Sequence, residues 1–76
     1  RRTPYTERGL RRIPCARCGE PSTQQWQICS DGNRWRGICT SCDVALNALV
    51  LRFIRDPDQI LKMARYMRRA YAEARR

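Results

Sequence analysis

Cys15-Ala16-Arg17-Cys18-Gly19 and Cys39-Thr40-Ser41-Cys42-Asp43 are the two stretches that decide the fold. They form C-x2-C, a gap of twenty residues, and C-x2-C again. Two thiolates three positions apart can grip one tetrahedral ion from a tight turn, so Cys15, Cys18, Cys39 and Cys42 read as a four-cysteine zinc site. Gly19 after the first pair can take a positive φ and turn backbone N–H groups toward the sulfurs. Two disulfides with a spare cysteine are the rival, but they need an oxidising compartment and leave a fifth cysteine over. A redox C-x-x-C needs a thioredoxin-like βαβ context that 76 residues cannot supply. Four thiolates with no open position describe a structural site. The ion is therefore expected to be a single Zn2+ that staples a chain too short to hold itself together by burial alone.

Between the pairs the chain reads as a β-hairpin: a strand over 22–29, the turn Ser30-Asp31-Gly32-Asn33, and a return over 34–38. That turn sets Cys29 opposite Arg34, Ile28 opposite Trp35 and Trp26 opposite Gly37. Directly opposed residues share a face. Trp26, Ile28 and Trp35 then share an apolar face that packs on the following helix, while Gln27, Cys29, Arg34 and Arg36 share the other. Cys29 reads as a free thiol, unless a one-residue bulge reverses the parity. Trp35 between Arg34 and Arg36 reads first as a core residue between solvated arginines, and second as a stacking platform for bases.

A helix is expected from Cys39 to Arg55. Leu46, Leu49, Val50, Phe53 and Ile54 make one apolar stripe, and Val44, Ala48 and Leu51 a second. A helix apolar on two sides must be covered twice, by the hairpin and by a second helix or a second chain. Asp56-Pro57-Asp58-Gln59 reads as a restart, with Asp56 as N-cap, Pro57 at the first helical position and Gln59 completing a capping box. The second helix, over 57–74, sets Ile60, Met63, Ala64, Met67, Tyr71 and Ala74 toward the first helix. Lys62, Arg65, Arg69 and Arg76 lie largely on the other side.

The chain holds sixteen Lys+Arg against seven Asp+Glu, a net charge of +9, with no histidine. The missing histidine excludes Ser-His-Asp and Cys-His nucleophile pairs, a histidine general base and any zinc site containing His. Residues 1–12 carry +4 and residues 62–76 carry +5, around a centre in which five arginines and five acids cancel. Fifteen of the sixteen basic residues are arginine, whose planar fork suits phosphate. The partner expected is nucleic acid, DNA ahead of RNA. Its contacts are assigned to Arg8, Arg11, Arg12, Arg34, Arg36, Lys62, Arg65, Arg68, Arg69, Arg75 and Arg76. No apolar run approaches a membrane span and no signal peptide is visible, so no membrane partner and a cytoplasmic location are expected. The organisation expected is a basic flexible arm over 1–12, a zinc finger over 13–55, and a basic amphipathic helix over 56–76.

A knuckle, a hairpin and a helix opened by the second cysteine pair follow the order of elements in a treble-clef finger. The run Arg36-Gly37-Ile38-Cys39-Thr40-Ser41-Cys42-Asp43 resembles the second cysteine pair of the phage recombination endonuclease VII-type, His-Me-finger proteins. The likeness covers residues 14–55. It implies a small α+β, zinc-stapled, treble-clef-like domain followed by a C-terminal helix, of phage or prophage derivation. The resemblance places the family's catalytic Asp-His pair on Trp26 and Gln27, and its metal-binding Asn on Asp43. Gln27 cannot deprotonate water, and losing a general base costs about 10²–10⁴-fold. The reading is a non-catalytic nucleic-acid-binding module. One alternative is an interaction or regulatory module docking on a larger nucleic-acid machine, or pairing as a homodimer, through residues 44–54. A further alternative is a degenerate nuclease using Asp31 or Asp43 with a divalent cation.

Overall fold

A computed structural model describes residues 4–75. The elements run α1 (Glu7–Leu10), β1 (Gln24–Ile28), β2 (Arg34–Ile38), α2 (Thr40–Phe53) and α3 (Gln59–Ala74), a small α+β fold around one two-stranded antiparallel hairpin. No helix among the described residues is long and apolar enough to cross a membrane.

The first cysteine pair sits in a tight loop. Gly19 adopts φ 86°, its N–H reaches the Cys15 carbonyl at 2.9 Å, and the Cys15 N–H reaches the Glu20 carbonyl at 2.6 Å. Ala16 N–H donates to the Gly37 carbonyl at 2.9 Å, which ties this loop to the strand that delivers the second pair.

The hairpin register differs by one from the expected one. Gln27 lies opposite Trp35 and Ile28 opposite Arg34. The connection is five residues long, because Cys29–Asp31 form a 3-10 turn and both Gly32 (φ 63°) and Asn33 (φ 61°) take the left-handed conformation. Moving one strand by one residue swaps its faces. Trp26 therefore shares its face with Arg36, and Trp35 shares the opposite face with Gln25, Gln27 and Gly37. The expected Trp26–Ile28–Trp35 face is not formed.

Residues 5–12 do not behave as the free arm expected of 1–12. Thr6 caps α1 by accepting from Gly9 N–H, Leu10 is buried, and the Gln25 amide bonds both to the Tyr5 carbonyl (3.0 Å) and to the Tyr5 N–H (3.4 Å). Arg11 reaches the Ala74 carbonyl at the end of α3, at 3.4 Å. The Gln25 side chain on the hairpin and a backbone carbonyl of α3 offer these residues partners that their low apolar content did not advertise. Arg1 and Arg2 lie outside the described residues.

Helix α2 ends in a Schellman turn. Asp56 N–H bonds to the Leu51 carbonyl (3.0 Å) and Arg55 N–H to the Arg52 carbonyl (3.1 Å), with Arg55 left-handed at φ 55°. The expected cap at Asp56 with Pro57 first in the helix is not formed: the N-cap is Asp58, and Asp56 instead closes the preceding turn, accepting from Asp58 N–H at 2.8 Å and pairing with Lys62. Gln59 reaches the Asp56 carbonyl rather than its N–H, and regular α3 begins at Gln59, two residues later than expected. An arginine in this conformation is strained where glycine is not. Arg55→Gly is expected to raise stability by about 1 kcal/mol, read as a higher urea midpoint with an unchanged slope.

The buried face of α3 also differs. Ala70 is fully buried and Tyr66, Met63 and Ala74 are half-buried, whereas Ile60 (86%), Met67 (42%) and Tyr71 (37%) stay exposed. Two alanines let α3 lie close, and Tyr66 has a specific partner described below.

Candidate metal centre and basic surface

The sulfurs of Cys15, Cys18, Cys39 and Cys42 all lie within 4.8 Å of one another, with Cys18 and Cys39 at 3.5 Å. Four ligands at about 2.3 Å around a tetrahedral ion stand roughly 3.8 Å apart, so the cluster fits a metal ion. The first pair comes from the loop before Gly19. The second comes from the start of α2, where Cys39 is the N-cap and Cys42 lies in the first turn. Cys29 is exposed in the hairpin turn and stands outside this group.

Backbone N–H groups surround the sulfurs. Burial opposes ionising Cys15, but the N–H groups of Cys39, Cys18 and Arg17 outweigh it and bring the thiol down to about 6. Burial likewise opposes Cys39, and the Ser41 hydroxyl and Cys42 N–H overcome it. Cys42 moves the other way, pushed up to about 12 by the neighbouring Cys39 sulfur and by burial. The metal-free cluster thus holds one thiol that ionises readily, Cys15, beside one that keeps its proton, Cys42. Loading a cation displaces that proton, and acidification favours release of the cation.

Asp43, the residue after the last ligand, is the hub that joins three elements. It is 1% exposed. Its Oδ1 accepts from the Trp26 indole N–H at 2.6 Å and from Asn47 Nδ2 at 3.3 Å, and its Oδ2 accepts from the Tyr66 hydroxyl. Burial and then this carboxylate raise the Tyr66 phenol to about 12. A buried charge survives only with such a full set of donors. The sequence reading left Tyr66 without a role. The available signal was its place at four- and three-residue spacing with Met63, Ala70 and Ala74.

The basic residues separate into committed and free ones. Arg36 is held by Asp31 at 2.9 Å, Lys62 by Asp56, and Arg69 lies over the Tyr66 ring at 5.4 Å and 4.0 Å from Glu73. Arg8, Arg12, Arg34, Arg65, Arg68 and Arg75 are exposed, and none is in an ion pair among the described residues. Arg76 lies outside the described residues. The two charge-rich ends meet in space: Glu7, Arg8 and Arg11 border a cleft of about 450 Å3 whose far wall is Ala70, Glu73 and Ala74 of α3. Comparison with protein-family models, with curated proteins and with solved structures finds no match to this chain.

Proposed function

We propose that the chain is a zinc-stapled, non-catalytic nucleic-acid-binding module that contacts phosphates through its two basic ends. The supporting observation is that both ends carry exposed arginines that are in no ion pair among the described residues. Arg8 and Arg11 meet the end of α3, and Arg65 and Arg68 stand exposed on the same helix without a carboxylate partner. Zinc is the ion that four thiolates in a closed tetrahedral set favour, with a structural rather than a catalytic role.

The treble-clef reading is supported by the order of knuckle, hairpin and cysteine-opened helix. The endonuclease VII-like resemblance rests on residues 36–43. On that alignment, two positions belonging to the family's nuclease machinery hold Trp26 and Asp43, and these two are bonded to each other. The non-catalytic reading follows from this use of Asp43. Both of its oxygens are taken by donors and it is shut off from solvent, while the other candidate, Asp31, is engaged by Arg36.

Fluorescence anisotropy with a labelled duplex of about 20 base pairs, titrated across salt concentrations, tests the proposal. Affinity is expected to fall linearly in log–log form with salt, and Arg65→Gln and Arg68→Gln each to lower the slope by roughly 1. Binding that ignores salt, or no binding at low salt, would refute it.

A further inference from the structure

Helix α2 offers an apolar face that nothing among the described residues covers. Its Val44–Ala48–Leu51 stripe is half-buried. The other stripe runs out into solvent, with Leu49 51%, Val50 40%, Phe53 87% and Ile54 59% exposed. Leu49, Val50, Phe53 and Arg52 line an open groove of about 400 Å3. Phenylalanine is a mediocre helix former, so propensity does not account for it in the last turn. Burying such a side chain is worth about 1.5–3 kcal/mol, which the chain by itself leaves unused.

The charges around the groove select its occupant. Arg52 lines it, Arg55 follows three residues on, and neither is in an ion pair among the described residues. Asp56, the nearest acid in sequence, is already engaged by Lys62 and by Asp58 N–H. A two-fold pair of copies would bring this arginine-bearing patch against itself, between chains of charge +9. A short segment with one or two apolar anchors and flanking carboxylates satisfies both the groove and the arginines.

We propose that the Leu49–Val50–Phe53 groove takes an acidic amphipathic segment of another protein, with an apolar side chain seated in the groove and carboxylates on Arg52 and Arg55. This is independent of the nucleic-acid reading, whose arginines lie on α1 and α3.

The test uses the zinc-loaded, 15N-labelled chain and a synthetic amphipathic peptide of about 16 residues. The peptide carries Leu and Phe at i, i+3, i+4 and i+7 with Glu elsewhere, and a control carries Lys in place of Glu. Amide shifts are expected in residues 46–55 with the acidic peptide alone. Phe53→Ser and Arg52→Glu should each weaken binding by about tenfold or more, while the salt slope for duplex DNA stays unchanged. Phe53 is exposed, so its variant keeps the parent circular dichroism. Four outcomes would overturn the proposal: no shifts at millimolar peptide, equal binding of the Lys peptide, self-association that Phe53→Ser abolishes, or duplex DNA shifting the groove amides.

Discussion

Cys42→Ser is expected to unfold the chain rather than loosen it. The apolar residues buried among those described are Leu10, Cys15, Cys39, Cys42 and Ala70, so three of the five belong to the metal cluster. A core with one large aliphatic side chain cannot offset the conformational entropy of some seventy ordered residues. Structural zinc contributes an apparent 10–16 kcal/mol or so at neutral pH, as much as the whole net stability of an ordinary domain. The variant should lose amide dispersion and cooperative melting, and a chelator should do the same to the parent chain. Cys29→Ser, outside the cluster, should change neither. A Cys42→Ser protein that still melts cooperatively would show that burial, not metal, holds the fold.

Asp43→Ala is expected to cost about 3 kcal/mol or more in the zinc-loaded protein. The carboxylate takes donors from β1, α2 and α3 together, and its loss takes the buried acceptor away from the Trp26 N–H and the Tyr66 hydroxyl. Tyr66→Phe removes one of these donors and should cost less, because Trp26 and Asn47 still serve the carboxylate. Urea melts at saturating zinc separate the two variants. A degenerate nuclease predicts the reverse for Asp43→Ala: unchanged stability and loss of divalent-metal-dependent cleavage.

The parts of this structure legible in the sequence are those set by short-range spacing. The four cysteines come together because two C-x2-C pairs on a turn and a helix start leave few other arrangements. Asp56 and Pro57 marked the break between α2 and α3 because turn chemistry is a matter of a few adjacent residues, although the N-cap itself falls on Asp58. The hairpin faces were not legible, since a single left-handed residue more or less at Gly32-Asn33 decides which side Trp35 takes. Nor was the buried side of α3. Counting apolar residues favours Ile60, Met67 and Tyr71, whereas the fold buries Ala70 and turns Tyr66 toward a carboxylate twenty-three positions away. That partnership has no local signature. Asp43 was singled out as a possible cation ligand, which noticed the right residue but could not see the three donors that occupy it. The first basic segment read as a flexible arm because its partners, Gln25 and the end of α3, lie far along the chain.

Native mass spectrometry of the protein as purified, before and after reduction, tests the central claim most directly. One zinc ion per chain is expected, lost together with the compact charge-state distribution on acidification. A zinc-free chain whose mass rises on reduction by the hydrogens of two disulfides would contradict the metal centre and the fold built on it.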